Sequence, residues 1–200
     1  MSKEMWNANY STDEYIYGKA PNEFFKAELD RLIPGKLLLP AEGEGRNAVY
    51  AASKSWDVEA WDQSDEGRKK ALNLALEAGV SIRYDLGDIT AMKIPAETFD
   101  VIALIFVHLD SEKRQEFHRR LIHGLKPGGL IILEAYTKEQ LKFSSGGPKN
   151  PDMLYSSVLL AEDFAEMDIL LNQELLVFQE EGTYHRGEAS VVKVVAQKRS

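Results

Sequence analysis

Residues 37–52 read LLLPAEGEGRNAVYAA. Three leucines suit a buried strand, and Pro40 breaks it. Gly43-Glu44-Gly45 makes a turn, and Arg46-Asn47 leads into residues with helical spacing. Glycines at such a handover allow tight turning and let a ligand approach the backbone closely. A helix N-terminus beside them offers unpaired N–H groups. Strand, glycine turn and helix in this order raise a ligand question together with a fold.

The pattern repeats on either side. Strand-like KLLL (36–39) precedes the helical segment 47–54. VEAW (58–61) precedes the helical segment 65–79, and SIRYDL (81–86) reads as a short strand. DVIALIF (100–106) and LIILEAY (130–136) are fully apolar strands. Between them lies an amphipathic helix from Ser111 to Gly124, capped by Ser111 with acids in its first turn. Near-continuous apolar strands alternating with helices predict a parallel sheet covered on both faces. Two further strand-like runs, 174–179 and 189–197, flank a Gly-bearing turn and predict an antiparallel hairpin. The expected fold is an α/β three-layer sandwich with a mostly parallel seven-stranded sheet, in a single domain spanning 1–200. Asn22 reads as the cap of a helix bearing Phe24, Phe25, Leu29 and Leu32, ended by Pro34-Gly35. Residues 1–22, with Trp6, Tyr10, Tyr15 and Tyr17, read as an N-terminal arm packed on the domain or a lid over a pocket.

Composition narrows the function classes. The chain has 200 residues, 44% hydrophobic, enough for a sizeable core without staples. It has no cysteine, which excludes disulfides, thiolate metal sites and a Cys nucleophile. Its net charge of -8 disfavours nucleic acid as a partner. No leader pattern and no membrane-length apolar run are present, so a soluble, cytoplasmic protein is expected.

In a sheet of this kind ligands bind beyond the carboxyl ends of the strands. Gly43 ends the first strand. Asp62 ends the second, 19 positions later. That matches the interval of about 20 expected for an acid holding ribose hydroxyls in a glycine-turn nucleotide site. Asp88 lies just past the third strand, placed to accept from the exocyclic amine of a base. Each residue alone also reads as something plainer: a tight turn, a helix cap, a loop acid. In register with three successive strands they predict a nucleoside pocket. Residues 43–48 also satisfy the G-x-G-x-x-A pattern of dinucleotide enzymes, which keeps a nicotinamide-dependent oxidoreductase as a rival. The chain is short for that reading, which needs a substrate domain as well.

The chain resembles class I S-adenosylmethionine-dependent methyltransferases in EGEGRNAVYAA, WDVEAWDQS, GDI, FDVIALIFVHL and LKPGGLIILEAY. PNEFF, GEGRNAVY, the GGP at Gly146–Pro148 and EGTYHRGEA are similar to the branch with tellurite-resistance and thiopurine-type methyltransferases. The resemblance covers nearly the whole chain. It implies S-adenosyl-L-methionine as cofactor and S-adenosyl-L-homocysteine as product. It implies that the Gly43–Gly45 backbone lies along the methionine part, with Glu42, Glu44 and Asn47 among the cofactor-binding residues. Asp62 would hold the ribose hydroxyls, with Gln63 and Ser64 nearby. Asp88 and Ile89 would frame the adenine, and Phe106, Val107 and His108 would lie beside the sulfonium.

The chain departs from the family at Leu39 and Ala41, where an acid and a glycine are usual. Glu42 and Glu44 are the candidates to replace the acid. The same departure motivates a second rival, a cofactor-binding module without activity. For chemistry, His108 is the base candidate, its ordinary pKa lying near neutrality. Arg46 and Arg186 suit an anionic acceptor. His185 sits beside Arg186 in the hairpin connection, and Tyr10, Tyr17 and Tyr136 read as wall residues. His118 and His123 fall away from the strand ends, and no metal site is expected. The expected partner is a small soluble acceptor, a thiol or a tellurium or selenium oxyanion included, for a monomer or homodimer.

Overall fold

The structure is a computed structural model that describes residues 2–200. Two compact units are present. The first contains the residues up to Met92 together with Glu181–Tyr184, and the second contains Lys93–Glu180 with His185–Ser200.

In the first unit α1 (Lys3–Tyr10) and α2 (Glu23–Leu29) precede β1 (Lys36–Pro40), α3 (Arg46–Ser53), β2 (Asp57–Asp62), α4 (Asp65–Glu77) and β3 (Arg83–Leu86). The arm therefore holds a helix where only a polar, aromatic segment was expected. Asn22 caps α2 as read from the sequence, its side chain accepting from Phe25 N at 2.9 Å. The helix stops at Leu29 rather than Leu32, because its end tightens into three-residue turns, Leu32 N bonding Leu29 O. The strands β3, β2 and β1 are parallel neighbours, with Leu38 opposite Glu59 and Asp62 opposite Leu86. Leu37, Leu38 and Leu39 are all buried, as a strand covered on both faces requires. Ser64 caps α4 through Gly67 N, with Asp65 and Glu66 favourably placed in its first turn.

The second unit holds β4 (Phe99–Ile105), α5 (Ser111–Gly124), β5 (Leu125–Tyr136), α6 (Ser157–Asp163), β6 (Met167–Glu181) and β7 (His185–Lys198). Its strand order is β4-β5-β7-β6, with β4 and β5 parallel and β5 and β7 antiparallel. Asp110, not Ser111, caps α5, accepting from Lys113 N at 3.2 Å. The LKPGG segment already belongs to β5, which begins at Leu125. Phe99 pairs with Leu125 and the register then shifts, with Gly128 at φ 77°. Both hairpin strands outrun the expected bounds. Asp168, Gln173 and Glu174 on β6 are exposed, so the alternation that marks a half-solvated strand reads in sequence as loop.

Among the described residues the chain has seven strands and six α-helices. The fold is α/β and Rossmann-like, a mostly parallel sheet with an antiparallel C-terminal hairpin. No helix among them is long and apolar enough to cross a membrane.

Candidate active site

The turn after β1 keeps a left-handed backbone at three positions: Ala41 at φ 54°, Gly43 at 62° and Gly45 at 87°. Ala41 thus adopts a conformation that favours glycine, at the steric cost of its Cβ. Gly45 is irreplaceable for a second reason. A Cβ there would lie 2.5 Å from the Ala71 Cβ, where α3 and α4 pack. The Asp62 carboxylate accepts from Gly43 N at 3.0 Å and from Ser64 N at 2.8 Å. Burial raises its pKa, opposed by the amide donors of Ser64, Gly43 and Gln63. Tyr84 donates its hydroxyl to the Gly43 carbonyl at 2.6 Å, and Gly87 N reaches the Asp62 carbonyl at 2.9 Å. The turn, the end of β2 and the end of β3 are therefore one hydrogen-bonded assembly. Asp88 follows at once, exposed, its Oδ1 accepting from the Thr90 N–H and hydroxyl, with Ile89 half-buried beside it.

The charged and polar side chains of the turn point elsewhere than expected. Glu42 caps α3, its Oε1 accepting from Asn47 N and Ala48 N, both at 2.8 Å. The N–H groups expected to be open to a ligand are thereby filled by the chain's own carboxylate. Burial pushes the Glu42 carboxyl up to about 7, against the pull of its donors. Glu44 pairs with Lys70 at 2.6 Å and receives Ile16 N and Tyr17 N at 3.3 and 3.4 Å. Arg46 pairs with Glu181 at 2.9 Å and donates to the Tyr17 carbonyl at 3.2 Å. Asn47 Oδ1 accepts from Asn22 N at 2.9 Å. The side chains of Glu44, Arg46 and Asn47, expected at the ligand, are thus each engaged by partners in the chain. In this geometry their side chains fasten the arm, because long side chains beside buried backbone donors serve those donors first.

The arm supplies groups that sequence reasoning missed. Asn7 accepts from the Ser64 hydroxyl at 2.7 Å and from Glu66 N at 3.4 Å, and Lys3 pairs with Asp65 at 2.5 Å. A Cβ on Gly43 would meet the Tyr10 hydroxyl at 2.6 Å, so Tyr10 lies directly on the turn. Four rings follow one another: Trp6 stacks on Tyr10 at 5.3 Å, Tyr10 meets Tyr17 edge-on, and Tyr17 meets Tyr184 edge-on. The spacing of Trp6 and Tyr10, one helical turn, was the only sequence signal for this. Nothing marked Asn7.

In the second unit Phe106, just past β4, is held at φ 55°, a rare conformation for an aromatic residue. Its ring stacks on Tyr136 at 4.7 Å and meets His185 at 4.6 Å. Val107 is buried beside it. Tyr136 donates its hydroxyl to Gln179 at 2.9 Å. His108 is buried with both ring nitrogens engaged. Nδ1 lies 2.7 Å from the Met153 carbonyl and Nε2 accepts from Tyr136 N at 3.2 Å. A carbonyl cannot donate and an amide cannot accept, so the proton is on Nδ1. Burial lowers the pKa to about 4. In this geometry the ring of His108, the expected base, has no open nitrogen. Arg186 is exposed and lines a cavity of about 360 Å³ with Lys142, Ser145 and Glu188.

Residues 40–129 match the family model of a methyltransferase domain. No curated protein matches the chain in sequence. Among solved structures, that of "Conversion of a Disulfide Bond into a Thioacetal Group during Echinomycin Biosynthesis" is similar with a TM-score of 0.79 and 18% identity, covering 98% of this chain and 91% of its own. TehB from Haemophilus influenzae is similar with a TM-score of 0.75 and 18% identity, over 98% of this chain and 67% of TehB. The N-methyltransferase NodS from Bradyrhizobium japonicum WM9, in complex with S-adenosyl-L-homocysteine, has a TM-score of 0.71 and 12% identity, over 99% of this chain and 98% of NodS. At these identities the likeness is one of fold. Residues 40–129 are thus similar to a methyltransferase domain, and the chain shares the Rossmann-like fold of the NodS N-methyltransferase.

Proposed function

We propose that the chain, acting as one catalytic domain, transfers a methyl group from S-adenosyl-L-methionine to a small acceptor. The observation that carries this reading is the bond from Gly43 N to Asp62, which joins a left-handed glycine turn to a strand-end acid. The residues present fit the cofactor's nucleoside. A carboxylate has about four acceptor positions, so Asp62 keeps capacity for a ribose hydroxyl beside its three amide donors. Asp88 is exposed for the base. The left-handed Ala41 keeps the turn despite the missing glycine, which answers the glycine half of the motive for an inactive module. When bound, the cofactor supplies the methyl group and its own leaving group.

The protein's part is then to bind, to orient and to exclude water. His108, neutral and doubly bonded, gives no proton acceptor. This favours acceptors already deprotonated at working pH, such as a thiolate or a selenium or tellurium oxyanion. Arg186, with its cavity, is the residue suited to an anionic acceptor. Titration calorimetry with S-adenosyl-L-homocysteine, with NADH in parallel, tests the reading. Micromolar binding of the first and none of the second is expected. The reverse result would replace it with the nicotinamide-dependent oxidoreductase.

A further inference from the structure

The two ion pairs of the turn share a destination. Glu44 receives Ile16 N and Tyr17 N, and Arg46 donates to the Tyr17 carbonyl. From the other side Glu181 holds Arg46 at 2.9 Å and Asn22 Nδ2 at 3.1 Å. The residues that follow close the loop: Thr183 N and Tyr184 N both donate to the Ile16 carbonyl, at 2.9 and 3.2 Å. Gly182 makes this possible. It sits at φ 63°, and a Cβ there would lie 2.3 Å from the Ile16 carbonyl oxygen. Residues 15–18 are thus strapped between the glycine turn and Glu181–Tyr184.

The fasteners differ in strength. The bonds from Glu44 to Ile16 N and Tyr17 N, at 3.3 and 3.4 Å, are near the outer limit for hydrogen bonds. The Arg46–Glu181 pair is short and shielded, with side-chain exposures of 8% and 15%. Removing one member of such a pair leaves the other charge poorly solvated. Beside the backbone bonds from Thr183 N and Tyr184 N to the Ile16 carbonyl, this pair is the short charged fastener of the strap. Tyr17, carried by the strap, lies edge-on to Tyr10, which itself covers Gly43.

We propose that Glu181 is a positioning residue for the glycine turn: through Arg46 it closes residues 15–18 over the turn, and cofactor binding and strap closure are one coupled event. The proposal rests on the cofactor reading above. A ligand shifts such an equilibrium only by binding one state better than the other. A cofactor lying along the turn meets the strap's rings only when the strap is closed.

The test is amide hydrogen exchange at Ile16, Tyr17 and Gly18, with and without S-adenosyl-L-homocysteine, in the wild type, Glu181→Gln and Glu181→Asp. Calorimetry runs on the same samples, and thermal unfolding verifies that each variant is folded. In the wild type the ligand is expected to slow exchange at least ~10-fold. In Glu181→Gln, exchange should be fast with or without ligand and affinity ~10-fold weaker, with Glu181→Asp intermediate. Wild-type binding without protection at these amides would overturn the coupling and leave the cofactor reading intact. So would a Glu181→Gln protein with full affinity and full protection. A wild type that binds no S-adenosyl-L-homocysteine would instead overturn the cofactor reading itself.

Discussion

Tyr136 gives its backbone N–H to Nε2 of His108 at 3.2 Å, while Nδ1 of the same ring reaches the Met153 carbonyl at 2.7 Å. The imidazole joins the end of β5 to the segment before α6 and stays neutral. Its folded pKa, about 4, lies below its ordinary 6.5. The unfolded chain therefore binds a proton in that interval that the folded chain refuses. The stability that His108 contributes is complete above pH 6.5 and is lost as pH falls toward 4. Urea unfolding of the wild type should weaken between pH 7 and pH 4.5 by a component of about 2–3 kcal/mol that His108→Asn lacks. The pH dependence of methyl transfer between 6 and 8 should be the same in both. A wild-type ionisation that vanishes in His108→Asn would restore the ring as a base.

Glu42 carries the opposite sign. Burial raises its carboxyl from 4.5 to about 7, so the folded state favours the protonated form. Its contribution is complete below about pH 4.5 and is lost as pH rises through 7. The thermal midpoint of Glu42→Gln relative to wild type should therefore shift in the variant's favour between pH 5 and pH 8. A difference that stays constant with pH would show that the carboxylate is ionised throughout, its burial offset by the N–H groups of α3.

Ala41 supplies a prediction from backbone strain. A left-handed backbone costs a residue with a Cβ roughly 1–2 kcal/mol relative to glycine, part of which is returned by the looser unfolded chain. Ala41→Gly should stabilise the protein by about 1 kcal/mol, or roughly 2–4 °C in Tm for a chain of this length. Affinity for S-adenosyl-L-homocysteine should hold or rise. A lower Tm would mean that the turn does not keep its left-handed conformation at this position.

The strands were legible because their residues are buried on both faces, and burial leaves a continuous apolar signature in sequence. Leu37–Leu39, Val101–Leu104 and Ile131–Leu133 all show it. Asp62 was legible because a strand-end acid at a fixed distance from a glycine turn reflects backbone register. What register cannot convey is the destination of a long side chain. Glu44 and Arg46 stand beside the turn in sequence and bond the arm in space. Glu42 occupies the helix N-terminus that seemed open. Long-range pairing is equally hidden. Asp163 lies between Arg114 at 2.7 Å and His118 at 2.8 Å, with no exposed side-chain surface, and nothing near His118 in sequence announces it. This pairing accounts for a histidine away from the strand ends. Asp163→Ala should cost about 3–5 kcal/mol in urea unfolding, since it strands a buried guanidinium. A loss under 1 kcal/mol would mean that water already reaches Arg114.

Asp62 is where the structural and functional readings meet, and its substitution separates them. The carboxylate accepts from Gly43 N and Ser64 N, so it shapes the turn whether or not a ligand is bound. Asp62→Ala would remove both roles at once. Asp62→Asn keeps one oxygen for an amide donor and loses the charge. If Asp62 also accepts from the ribose hydroxyls, Asp62→Asn should weaken S-adenosyl-L-homocysteine by about 1–3 kcal/mol, a factor of roughly 5 to 150 in Kd. The loss should shrink for a 2′,3′-dideoxy analogue of the ligand, which cannot make the bonds in question. A structural role alone would weaken both ligands equally. An equal loss for the two ligands would therefore remove Asp62 from the ribose site while leaving it the keystone of the turn.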